Sequence, residues 1–313
     1  MENKTEQSEE VIVKVPLQDE VQEKEEPQNP WKISFFCFIW FVASICNAFL
    51  IKIVMNERRI LSVTTALMVQ LVSTLLYTWI FTTLWGVPKN NTQVSLVKYL
   101  KLTFPIAVSI FLRTRIRDWE IWSTPISDPV TIPVEAAYLF FALVFSKTIL
   151  GDKRIEYWHM SLVAVAAWAI ISFCGFNSLR VPEILGFAVM TAFEMAFSKM
   201  IMREFRIHPL RLLSALSALV LLPVLAMWIY EMSWRIQYTD ILERPMASQT
   251  VLLIFLFGIL SCIQSAAAFT ILSAVPFHHY LIGSAFNRIT RFCSIALITS
   301  AFPIVHQYYN YQF

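Results

Sequence analysis

Charge is scarce in this 313-residue chain: Asp, Glu, Lys and Arg make up 15% of it, against about 25% in soluble domains. Glycine is scarcer still, with six residues. No GxxxxGK[ST], GxSxG or HExxH pattern occurs. A P-loop ATPase, a hydrolase built on a nucleophile elbow and a zinc-protease helix therefore lose their footing, and an enzyme is not expected. The five cysteines (Cys37, Cys46, Cys174, Cys262 and Cys293) all lie inside apolar runs and lack CxxC or Cys/His spacing. That argues against both a disulfide scaffold and a structural zinc site, so neither metal nor cofactor is expected. Nor does any basic segment precede a short apolar core at the N-terminus, the arrangement a cleaved signal peptide needs.

What the chain has instead is apolar sequence, 57% by the AVILMFWYC count. A helix needs about 20 mostly apolar residues to cross a hydrocarbon core of ~30 Å. Nine such runs can be read, near 32–53, 62–85, 99–121, 130–150, 157–176, 182–203, 209–232, 249–273 and 278–302. They do not alternate apolar and polar residues, so a barrel is excluded. Helices that satisfy their own backbone amides remain, and the fold class is an all-α, polytopic membrane bundle of about nine spans in contact with the lipid bilayer. The wealth of Phe, Trp and Tyr then reads as packing and lipid-facing material, not as a nucleic-acid platform.

Charge is also unevenly placed. Residues 1–30 hold nine acidic and three basic side chains and no aromatic ring, which reads as a solvated, disordered acidic tail. If that tail is cytosolic, the loops on its side carry ten Lys and Arg residues (Lys89, Lys98, Lys101, Lys147, Lys153, Arg154, Lys199, Arg203, Arg206 and Arg211). The opposite side carries six. Cytosolic loops are the basic ones, so the N-terminus is expected in the cytosol. This orientation and the nine runs argue against a seven-span receptor.

Ionisable groups within spans cost about 2.5–3.5 kcal/mol each on insertion scales, and by default they mark an internal pathway. The candidates are Arg113 and Arg117 in the third run, Glu135 in the fourth, Glu194 and Lys199 in the sixth, and Arg288 with its neighbour Asn287 in the ninth. Arg113 and Arg117 share a helical face, so they are expected at a gate or as anion attractors. Glu194 and Lys199 are five apart, which is poor spacing for an ion pair within one helix. Opposite charges on different spans are expected to pair across a cavity, for example Glu135 with Arg288. His278-His279, at a span edge beside Pro276, reads as an interfacial pair and not as metal ligands.

Several blocks then fall into a known order. DPVTIPVEAAYLFFALVFS (128–146) resembles the fourth-span block of the triose-phosphate/nucleotide-sugar translocators. GFAVMTAFEMAFSKMIMRE (186–204) is similar to their sixth span, and LSAVPFHHYLIGSAFNRI (272–289) to their eighth-to-ninth junction. WFVASICNAFLIK (40–52), with Asn47 and Lys52, matches their first-span Asn…Lys block. The resemblance runs in order over about 32–303. It implies a drug/metabolite-transporter fold of ten helices in two inverted repeats, here 31–176 with five helices and 177–313 with four. It also implies a central site for a nucleotide sugar or sugar-phosphate-like metabolite, exchanged by alternating access, in Golgi or endoplasmic-reticulum membranes.

In the sugar-phosphate branch a fourth-span Lys and a ninth-span Lys-Arg pair hold the phosphate. The resemblance puts Glu135 at that Lys, and either Phe286-Asn287 or Asn287-Arg288 at the pair. Glu135, Glu194, Lys199, Asn287 and Arg288 are thus the candidate substrate-binding residues. The changed charges favour an organic solute other than a simple triose phosphate. They also keep a non-transporting scaffold or regulator in view, and the bundle leaves room for a homodimer.

Overall fold

The computed structural model describes residues 30–56, 63–87, 96–123, 131–152, 156–173, 181–238 and 248–301; apart from Pro30, the acidic tail expected over 1–30 lies outside them. Among the described residues nine helices occur and no strand. They are α1 (Pro30–Asn56), α2 (Val63–Leu84), α3 (Leu96–Ser123), α4 (Thr131–Thr148), α5 (Tyr157–Phe173), α6 (Val181–Phe205), α7 (Pro209–Tyr238), α8 (Ser248–Ala274) and α9 (Phe277–Ala301). They follow the nine apolar runs one for one. By length and composition α1, α2, α6, α7 and α8 hold stretches fit to cross a membrane, while α3 and α9 interrupt theirs with charge.

The distribution of polarity is that of a membrane bundle. Large apolar side chains face outward, among them Phe38, Trp79, Leu162, Val165, Trp168, Leu222 and Phe255. Small polar ones are buried, among them Ser44, Asn47, Thr78, Thr103, Ser109, Thr191, Ser261 and Asn287. A soluble domain reverses this order. The buried threonines are satisfied within their own helices: Thr78 donates to the Thr74 carbonyl (2.6 Å), Thr103 to Tyr99 (2.9 Å) and Thr191 to Phe187 (2.8 Å). Each hydroxyl thus avoids an unpaired donor without needing water.

Packing follows a regular scheme. α1 packs chiefly on α8 and also on α9, α3 on α6 and α7, and α4 on α6 and α9. α2 packs on α7 and α8, and α5 chiefly on α4. Exchanging α1 with α6, α2 with α7, α3 with α8 and α4 with α9 carries most of these pairs onto one another.

Polar contacts fix the register of α1 on α8. Asn47 Nδ2 donates to Gln264 Oε1 (2.7 Å), and Ser261 Oγ donates to Asn47 Oδ1 (3.1 Å). One backbone position fixes α2 on α8. A methyl group added at Gly258 would collide with the Ser73 hydroxyl and stand 3.0 Å from the Ser73 Cβ. Small residues at such crossings let membrane helices approach closely. Gly258→Val is therefore expected to lower unfolding stability by about 1–3 kcal/mol, the usual cost of overfilling a packed interface. Thermal unfolding in detergent would read this as a lowered midpoint, and an unchanged midpoint would contradict the close approach.

The ends of α2, α4, α6 and α8 and the starts of α3, α5, α7 and α9 gather at one end of the bundle, termed here the short-link end. Arg211 Nη2 near the start of α7 donates to the Val87 carbonyl just beyond α2 (2.6 Å). His278 Nδ1 at the start of α9 stands 3.5 Å from Asp152 Oδ2 after α4, so His278 contacts a carboxylate at the bundle's edge. Between α6 and α7, Arg206 takes a left-handed conformation (φ 49°) that ends one helix, and Pro209 opens the next. Burial first, and the Arg211 guanidinium second, hold His208 below the usual imidazole range. The ring is accordingly neutral, and its Nδ1 accepts the Leu210 amide (3.3 Å).

Candidate functional site: a charged cluster at half-depth

The charged cluster is built by opposed helices. α3 sets out from the short-link end and α6 finishes there. One turn before each ion-pair residue, Ser109 Oγ of α3 donates to the Met190 carbonyl of α6 (3.0 Å) and locks the two helices together. Helical side chains lean toward their own N-terminus. In opposed helices the heads of Arg113 and Glu194 therefore converge, and Arg113 Nη2 stands 3.1 Å from Glu194 Oε2. Glu194 retains 6% of its side-chain surface and Arg113 25%. The carboxylate is thus sealed in, and the accessible side of the pair is the guanidinium.

α9 supplies the second cation. Arg288 lies with its guanidinium carbon 4.4 Å from the ring centroid of Tyr138 on α4, an attractive placement for a cation over a π face. Depth can be read from chain position. Glu194 stands eleven residues before the end of α6 and Arg288 eleven after the start of α9, about 17 Å along each axis at ~1.5 Å per residue. Both residues thus sit near the middle of their helices.

The buried face of α9 carries Phe277, Tyr280, Leu281, Ser284 and Asn287, a helical stripe of three- and four-residue steps, while Ile282, Phe286 and Ile289 face outward. Asn287 is thus buried and Arg288 half-buried, while Phe286 lies on the outer face. The Asn287 amide oxygen is buried and has no hydrogen-bond partner among the described residues.

Toward the short-link end, α1 and α9 meet through aromatic packing. Trp40 of α1 stacks on Tyr280 (centroids 5.6 Å apart, planes 12° apart), and Phe277 stacks on Tyr280 from one turn away (6.4 Å, 20°). Tyr138, Ala142, Ala192, Ala196 and Ile201 are fully buried beside them.

Lys199 has a different place from the rest of the candidate set. Its ammonium donates to the carbonyls of Leu272 (2.7 Å), Ser273 (3.0 Å) and Val275 (3.0 Å). Those are the acceptors a helix end leaves unpaired, and a cation is favoured there by the helix dipole. An ammonium has three donors, and all three are engaged. Lys199 therefore fastens α6 to the end of α8, nearer the short-link end than the charged cluster. Glu135 lies on α4 three residues before Tyr138, and Arg117 on α3 one turn beyond Arg113, but the side chains of both fall outside the described residues.

The sequence did not single out Trp40, Tyr138, Tyr280 or Gln264. For Tyr280 a signal existed in the three- and four-residue steps of the α9 stripe. Trp40, Tyr138 and Gln264 enter through contacts between distant helices, which no local spacing records.

The chain belongs to the Triose-phosphate Transporter family, whose model matches residues 31–304. That match makes the chain a membrane solute transporter of the drug/metabolite transporter superfamily.

Proposed function

We propose that the chain carries an organic anion bearing hydroxyl groups, a nucleotide sugar or a sugar-phosphate-like metabolite, by alternating access. The observation that carries this reading is the half-depth cluster of Arg113 and Arg288 around Glu194. These three side chains hold two positive charges and one negative, a surplus that favours an anionic solute. Guanidinium forks match the oxygens of a phosphate, and a buried amide oxygen at Asn287 suits a sugar hydroxyl as donor.

The exchange relation among packed helix pairs supports two related units, 31–176 and 177–313, with the solute held between them. Dense aromatic packing toward the short-link end, with Arg113 partly accessible, fits an end state closed on that side. The basic residues gathered at that end, Lys101, Lys147, Arg203, Arg206 and Arg211 among them, support placing it and the N-terminus in the cytosol of a Golgi or endoplasmic-reticulum membrane.

Purified full-length protein in liposomes loaded with UMP, GMP or phosphate tests the reading. Labelled UDP-glucose, UDP-N-acetylglucosamine, GDP-mannose, glucose 6-phosphate and dihydroxyacetone phosphate serve as probes. Saturable uptake of at least one is expected. Uptake of none would replace this reading with the non-transporting scaffold.

A further inference from the structure

An alternating-access carrier must pass through a state closed on both sides, in which every charge at its centre is shut away from water. Two guanidiniums at mid-depth with no anion between them resist that state, because each is desolvated and each repels the other. A site of that composition turns over only when an anionic solute neutralises it, so every return needs a load.

This chain adds a carboxylate to that composition at Glu194. Glu194 presents its carboxylate to Arg113 at 3.1 Å and keeps 6% of its side-chain surface. It is attached to α6, which packs on both α3 and α4, and is therefore present whether or not a solute is bound. The carboxylate is therefore shielded from water, while the guanidinium of Arg113 keeps an accessible side.

We propose that Glu194 is a tethered counter-anion that lets the unloaded protein reorient, so that the carrier supports net, one-way movement of its solute as well as exchange. The inference rests on the transport reading above. An incoming anion competes with Glu194 for the two guanidiniums; when it leaves, the carboxylate takes its place and the centre again holds a neutralising charge. The site accordingly alternates between an external and an internal anion and is never left with bare cations.

A test on the solute-free protein separates this inference from the reading on which it rests. Lys101→Cys and His279→Cys, two exposed positions at the short-link end on α3 and α9, would carry spin labels in a background without the native cysteines. Distances between the labels are then measured in lipid nanodiscs with no solute added. The expected result is two distance populations for Glu194, a loss of the minor population by at least fivefold in Glu194→Gln, and its return in Glu194→Asp, which keeps the carboxylate. A single population in the Glu194 protein overturns the inference, and so does an unchanged pair of populations in Glu194→Gln. Failure of the transport reading shows elsewhere, as absence of uptake for every probe despite two populations here.

Discussion

Arg113→Leu is expected to destabilise the bundle by about 3–5 kcal/mol, the usual cost of leaving one member of a buried ion pair without its partner. The carboxylate of Glu194, which keeps 6% of its side-chain surface, would remain buried without its partner. Arg288 moderates the loss because its charge also acts on Glu194, so the lower end of the range is expected. Arg113→Leu combined with Glu194→Leu removes the stranded carboxylate and is expected to recover part of that stability, the remainder being lost because Arg288 no longer has the Glu194 charge beside it. Unfolding in detergent, followed by loss of helical signal, gives the comparison. If the single variant costs under about 1 kcal/mol, the pair is not sealed from solvent and the buried-pair account fails. If the double variant is no better than the single, packing and not charge explains the loss.

Ionic groups of this kind were the most legible part of the site. A charge inside an apolar run is so costly that its presence already asks for a reason, which is why Glu194 and Arg288 stand out in the bare sequence. Arg113 was harder to read, because a base followed by Arg117, Asp118, Glu120 and two tryptophans equally suits a helix end at the interface. Its partner Glu194 became visible only from the pairing of α3 with α6 through Ser109 and Met190, a contact between residues far apart in the chain. Lys199 shows the opposite limit. Its five-residue offset from Glu194 excluded a good pair within α6, yet the true acceptors are three carbonyls at the end of α8. A local pattern states what a side chain will not do next door, and it does not state which distant helix will end beside it.

The helices themselves were legible for a simple reason: length and unbroken hydrophobicity are local properties, and in lipid they decide secondary structure. Nine runs became nine helices among the described residues, with α7 reaching Tyr238, beyond the run read to about 232. The extension follows from what ends each reading. Hydropathy stops where Glu231 and Arg235 begin, whereas a helix continues as long as its backbone bonds can be made. The register of α9 was likewise undecided by alignment alone. Burial adds which side chains face inward, Asn287 being buried and Phe286 exposed.

Arg288→Gln is expected to weaken transport far more than folding. In the folded protein the guanidinium stacks on Tyr138 and assists Glu194, but Glu194 keeps its direct partner Arg113 when Arg288 is neutralised. The stability loss is therefore expected to stay near the value of one cation–π contact, about 0.5–2 kcal/mol. A solute anion, by contrast, loses one of its two cations. Hydrogen bonds to charged groups contribute about 1.5–3 kcal/mol, and ~1.4 kcal/mol is a factor of ten, so the apparent KM for the transported probe is expected to rise roughly 10- to 100-fold. Arg288→Lys separates charge from shape. It keeps the positive charge and loses the planar fork and the stacking, and an intermediate KM is expected. Uptake measured across a concentration series decides the matter. Equal KM values in the Arg, Lys and Gln proteins would show that Arg288 serves only the packing of α9 on α4. A fall in maximal rate at unchanged KM would place its effect on reorientation and not on solute binding.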